Sequence, residues 1–264
     1  MSQRDDAKNE TRVSGVLDAA ERLDTEAKFG VDSDQVIRDH VISHALAAIA
    51  RVGTDDVVFF GGTALSRTHL TDLRLSEDID LIALGERRAI GDRIESELGR
   101  QLQRTLGAVT FTPRLRQARH PEPSVLQVGD VRVQIQLLST EGYPAWPTEV
   151  VEIEQRYSDA PSAELRVLTG AAFVASKLSA WSDRRAPRDL YDLWAMGEAG
   201  MINGDAVALF GRLGTHTSAA KVPFERIPSD SEWRTALGHQ GIIRVGPQDA
   251  AEAVRAALEA SLAR

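Results

Sequence analysis

The chain has 264 residues, a formal net charge of −8, 42% hydrophobic and 27% charged residues, and no cysteine. That composition belongs to an ordinary globular protein with room for one large domain or two modest ones. It excludes disulfides and thiolate metal sites, offers no apolar run of membrane-spanning length, and argues against a nonspecific nucleic-acid coat. An opening without the apolar core of a signal peptide, together with the missing cysteines, leads us to expect a cytoplasmic protein.

Residues 1–12 are polar and read as frayed. Helical periodicity follows over 16–29 and again over 34–52, where Val36, Ile37, Val41, Ile42, Leu46 and Ile49 recur. Val57-Val58-Phe59-Phe60 reads as a short buried strand stopped by Gly61-Gly62, with a helix from Thr63 to about Asp72. A second strand carries Ile79, Leu81 and Ala83 in alternation with Asp78 and Asp80, and 88–106 reads as a helix. Strands are expected over 109–115, 125–128 and 131–138, with Gly129-Asp130 as a hairpin turn. Pro144, Pro147 and Pro161 mark a transition over 140–165. Helices are then expected over 171–182, 187–199, 204–211 and 248–262, with 214–246 irregular and Trp194, Phe224 and Trp233 as packing anchors.

Asp78 and Asp80 project from one face of their strand, and like charges so placed raise each other's pKa. A divalent cation removes that cost, and an oxygen-only donor set favours Mg2+ (or Mn2+) over zinc. Without an ion, the pair is a charged strand end. Gly61, Gly62 and Thr63 open a helix whose free N–H groups suit a phosphate, although Thr63 also reads as a plain N-cap. Ser76 lies just before the carboxylates, either near the same phosphates or making a local turn bond.

Gly61-Gly62-Thr63-Ala64-Leu65 followed by Ser76-Glu77-Asp78-Ile79-Asp80-Leu81 resembles the first motif of the DNA polymerase β-type nucleotidyltransferases. More narrowly it resembles the AbiEii-type nucleotidyltransferase toxins, and is similar to the mycobacterial tRNA-modifying toxins of that type. A second segment strengthens the likeness: Lys177-Leu178 on one helix and Arg188-Asp189-Leu190-Tyr191-Asp192-Leu193 on the next. The resemblance spans roughly residues 34–212. It implies an α+β (mixed α/β) fold, with a small mixed sheet flanked by helices and a helical C-terminal region. The corresponding division is an N-terminal helical extension over 1–33, a nucleotidyltransferase core over 34–150 and a mainly helical domain over 151–264.

The resemblance also implies a metal-dependent transfer of NMP from an NTP to an RNA acceptor, with the tRNA 3′ end expected, which blocks translation. A separately encoded antitoxin would be the partner. Lys177, which on an apolar helix would otherwise snorkel to solvent, is implied to reach the triphosphate. Asp192 is implied as a catalytic or Lys-positioning carboxylate, whereas Asp189 is expected to bridge to Arg185 or Arg188. One departure stands out. The strand expected to carry a third carboxylate offers Gln134 and Gln136 instead, and a carboxamide is no general base. Two alternatives therefore stay open: transfer to a small molecule or protein side chain, and a catalytically impaired nucleotide-binding protein. Residues 87–119 hold eight arginines against three acids. They form either a solvated face or a phosphate-contacting rim, with Arg114, Arg116 and Arg119 as candidate RNA contacts.

Overall fold

In a computed structural model, which describes residues 15–119 and 121–263, the chain folds as a seven-stranded mixed sheet with helices packed on it. The polar opening stretch lies outside the described residues. The N-terminal half contains α1 (Ala19–Phe29), α2 (Ser33–Ala50), β1 (Val57–Phe60), α3 (Gly61–Ser66), β2 (Asp78–Ala83), α4 (Arg87–Thr105), β3 (Val109–Thr112), β4 (Ser124–Val128) and β5 (Val131–Ser139). There follow β6 (Thr148–Glu152), β7 (Glu164–Leu168), α5 (Gly170–Arg184), α6 (Pro187–Glu198), α7 (Gly204–Leu213), α8 (Asp230–Leu237) and α9 (Pro247–Leu262).

Strand order across the sheet is β3-β4-β5-β2-β1-β7-β6. β2 runs parallel to β5 and β1 parallel to β7; the other pairs are antiparallel. Ile79 and Leu81 on β2 and Val133, Ile135 and Leu137 on β5 turn to one face and are fully buried, with α2 and α4 packed against the sheet. Burial of each such side chain contributes about 1.5–3 kcal/mol. Strand alternation then forces Asp78, Asp80, Gln134 and Gln136 onto the opposite face.

Helix boundaries follow local chemistry. The Asp18 and Asp32 carboxylates cap α1 and α2, Gly30 ends α1 in the left-handed region, and Pro187 opens α6. Four expectations change. α3 stops at Ser66 rather than near Asp72, because the Arg67 guanidinium is drawn into the core, where it donates to Asp39 and to the Glu154 carbonyl. β3 ends at Thr112, ahead of Pro113, which has no N–H for a ladder. β6 arises inside the supposed transition and β7 begins at its end, because β7 pairs with both β1 and β6 and so rewards runs of only five residues. α8 arises inside the supposed irregular stretch, started by a Ser229/Glu232 capping box and held by buried Trp233, whose Nε1 donates to the Val245 carbonyl at 2.9 Å. The division expected at residue 150 falls inside β6, and the sheet continues across it through β7.

Candidate active site

The Gly-Gly turn is shaped by what presses on it. Gly61 has φ 79°, and a Cβ there would overlap the Asp80 carboxylate. A Cβ on Gly62 would crowd Arg74 Nη2 at 3.0 Å and Ser76 Oγ at 3.2 Å. Two glycines are therefore what lets β1 turn while its backbone lies against β2. Thr63 departs from both of its expected roles. It is buried two residues inside α3, its hydroxyl donates to the Asp78 carbonyl, and it neither caps the helix nor faces the cleft.

The cleft, about 420 Å³, is lined by Gly62, Arg74, Ser76, Asp78, Asp80, Gln134, Gln136, Lys177, Arg184, Arg188 and Asp189. Parallel pairing of β2 with β5 places Asp78 beside Gln134 and Asp80 beside Gln136. Gln136 Nε2 donates to the Pro121 carbonyl at 2.6 Å. No carboxylate stands on this face of β5, so Asp78 and Asp80 face amides. Desolvation, and then the neighbouring Asp78, push the Asp80 carboxyl up to about 6, and desolvation also raises Asp78. This cost, in an all-oxygen donor set, fits a hard divalent cation held by Asp78 and Asp80.

Opposite the carboxylates runs a ladder of ion pairs joining both halves of the chain. Arg74 Nε and Nη2 each donate to Asp192 at 2.9 Å. Lys177 Nζ lies 2.8 Å from Asp192 and 3.0 Å from Asp189, and Arg184 Nε and Nη2 donate to Asp189 at 2.7 and 2.9 Å. Burial alone would lift the Asp189 carboxyl, but Lys177 and Arg184 hold it down at about 2. Burial likewise opposes the Lys177 charge, and Asp192 and Asp189 outweigh it. Lys177 therefore does not snorkel: it is buried and reaches the cleft. Three cations against two carboxylates leave a positive excess facing Asp78 and Asp80, and Arg188 adds to it.

Of the two roles implied for Asp192, the geometry favours the positioning one: it is 1% exposed, its oxygens bond Arg74 and Lys177, and it is not among the residues that line the cleft. Asp189 pairs with Lys177 and Arg184, not with Arg185 or Arg188, because the α5–α6 elbow turns Arg184 back over the first turn of α6. Sequence reasoning missed Arg74, Arg184 and Arg188 as cleft residues. The signal for Arg74 was an arginine between two leucines directly before Ser76. Glu77, inside the same motif, is a tether: Arg38 holds one oxygen at 2.7 Å, and Gln240 and His239 hold the other at 3.0 and 3.2 Å.

The expected arginine rim is mostly spent elsewhere. Arg114 donates to Glu95 at 2.9 Å and Arg116 lies 3.6 Å from Asp92, both acids of α4. Arg87 bonds the Leu137 and Ala118 carbonyls, Arg93 pairs with Asp56 and Arg100 with Glu97. Arg119 is exposed and has no side-chain partner among the described residues. None of Arg114, Arg116 and Arg119 lines the cleft.

Comparison with known proteins bears on the family and the fold. The family described as "Nucleotidyl transferase AbiEii toxin, Type IV TA system" matches residues 44–260. Among solved structures, the nucleotidyltransferase toxin MenT4 from Mycobacterium tuberculosis superposes with a TM-score of 0.62 at 18% identity, covering 90% of this chain and 86% of its own. A provisionally named nucleotidyltransferase from H. pylori superposes with a TM-score of 0.53 at 12% identity, covering 87% and 95%. No curated protein matches by sequence. Among the described residues no helix is long and apolar enough to cross a membrane. The chain belongs to the AbiEii nucleotidyltransferase toxin family of type IV toxin–antitoxin systems, and its fold is that of the polymerase β-like nucleotidyltransferases.

Proposed function

We propose that the protein transfers NMP from an NTP to an RNA 3′ end, the tRNA 3′ end foremost, in the cytoplasm and with Mg2+ or Mn2+, and so blocks translation. The observation that carries this reading is the face-to-face arrangement of Asp78/Asp80 with Lys177, Arg184 and Arg188 across one cleft. A divalent ion bound by Asp78 and Asp80 would neutralise charge on the phosphates. Lys177, fixed by Asp189 and Asp192, supplies a positive charge that needs no reorganisation when charge builds on the departing pyrophosphate. Arg184 and Arg188 hold the outer phosphates, while Gly62 leaves room for the chain of phosphates beside Ser76. The acceptor oxygen bonds to the α-phosphorus as the bond to pyrophosphate breaks. Its proton passes to solvent, since Gln134 and Gln136 orient by hydrogen bonding and take no proton. Membership of the family implies a cognate antitoxin as partner.

The test uses each α-labelled NTP with total RNA and Mg2+ or Mn2+. Label in tRNA-sized RNA, absent when its 3′ hydroxyl is blocked, is the expected result. Label in small molecules or protein instead would replace RNA as the acceptor. The amides of β5 motivate a second reading, an impaired nucleotide-binding protein; nucleotide binding with no label anywhere would establish that one.

A further inference from the structure

A second group of ligand-type side chains lies outside the cleft lining. His40 and His44 stand one turn apart on α2, so their rings leave the helix on the same side. Both Nε2 atoms converge on Asp159, in the segment between β6 and β7. His40 Nε2 is 3.1 and 3.0 Å from the two carboxylate oxygens, and His44 Nε2 is 3.0 Å from Oδ2. The ligand atoms of all three residues lie within 4.8 Å of one another, and the side chains are only 3–5% exposed.

A tetrahedral ion with bonds of about 2.0–2.1 Å spaces its ligands roughly 3.3–3.4 Å apart. The two His–Asp separations already fall within about half an ångström of that edge. The group is also oriented from outside. Gly15 N–H donates to Asp159 Oδ2 at 2.9 Å, and the Tyr157 ring meets His40 edge-on at 5.1 Å. A hydrogen bond such as Gly15's holds a carboxylate ligand in register, and the ring contact packs His40 in place. Two imidazoles and one carboxylate select a borderline ion of the zinc class, unlike the all-oxygen pair at Asp78 and Asp80.

We propose that His40, His44 and Asp159 form a zinc-class metal site, separate from the cleft, that clamps α2 to the segment between β6 and β7. That segment also carries Arg156, which donates to the Ser66 and Thr71 carbonyls, so the clamp braces the end of α3.

The experiment takes the full chain stripped with a chelator and titrates it with Zn2+ by calorimetry and with Co2+ by absorbance. One equivalent per chain, intense visible bands of tetrahedral cobalt and a raised thermal midpoint are expected. His44→Ala weakens binding at least about tenfold, whereas Asp78→Asn with Asp80→Asn leaves it unchanged. Absence of stoichiometric binding overturns the site. So does binding that survives His44→Ala and disappears with the aspartate changes. Should His44→Ala fail to fold, imidazole nitrogen resonances of the unaltered protein decide: two of the six histidines shift with Zn2+, or none does and the site is refuted.

Discussion

Two arginine-rich regions of this molecule have opposite fates. Between residues 87 and 119 Arg100, Arg114 and Arg116 pair one by one with acids of α4, Arg93 pairs with Asp56 and Arg87 bonds two carbonyls, so about half of the arginine charge is paired locally. Around Arg74, Lys177 and Arg184 the cations share two buried carboxylates and keep a positive excess directed at Asp78 and Asp80. What separates the regions is convergence, not arginine content: in the ladder three cations share two buried carboxylates, whereas the other arginines pair singly. Exposed pairs are individually worth little, while a buried network is rigid and strongly coupled.

The comparison breaks most severely at the carboxylates that the cations face. Asp80→Ala, and similarly Asp78→Ala, should reduce nucleotide transfer to background while the protein stays folded, read by labelled-NMP incorporation beside circular dichroism. Full activity in either variant would undo the assignment of the cleft.

Next come the rungs of the ladder. Asp192→Ala leaves Arg74 and Lys177 without their shared partner and should destabilise the fold by about 3–5 kcal/mol, measured by denaturant unfolding. Lys177→Ala should slow transfer on the order of a hundredfold or more, and Lys177→Arg should restore it only in part, because a forked guanidinium replaces a point charge. An Asp192→Ala protein of normal stability but no activity would return Asp192 to a direct chemical role.

A smaller effect sharpens the electrostatics. The Asp80 carboxyl is raised from 3.8 to about 6, so the folded protein binds more protons than the unfolded chain between those values. Stability of the metal-free protein is therefore lost as pH rises through that window. Asp80→Asn should then be more stable than the unaltered protein at pH 8, by up to about 3 kcal/mol, with the gain vanishing below pH 4. Thermal unfolding across pH checks this, and a flat difference would mean the carboxyl is not desolvated.

Least affected should be the exposed region. Changing Arg114, Arg116 and Arg119 together to Glu should lower RNA affinity and its salt slope by at most about one phosphate contact, that of Arg119. Arg184→Glu with Arg188→Glu should impair transfer far more. A steep loss of RNA binding in the triple variant, read by filter binding across salt, would reinstate the rim and reverse the comparison.

Legibility in the sequence tracked how local each interaction is. The glycine turn, the alternation of Asp78 and Asp80 and most helices were readable, because period and turn chemistry act within a few residues. The fold class and family followed from two motifs in order. Thr63 misled because an N-cap and a buried hydroxyl share the same sequence context; only the close approach of Asp78 separates them. Asp189 and Asp192 were ranked without knowing the geometry of the α5–α6 elbow. β7 and α8 went unread because short segments of mixed polarity gain their stability from partners more than a hundred residues away or from one buried tryptophan.

By itself the sequence determined which groups exist and which face of a strand carries them: two aspartates i, i+2, two glutamines in place of an acid, a lysine on an apolar helix, and no cysteine. Covalent order and side-chain period are sufficient for that. Only the tertiary structure decided that Asp78 lies beside Gln134, that Arg74 and Lys177 share Asp192, and that His40 and His44 meet Asp159. Each of those contacts crosses the chain between distant segments. Its energy depends on separation and on exclusion of water, quantities set when the sheet and helices pack together and not before.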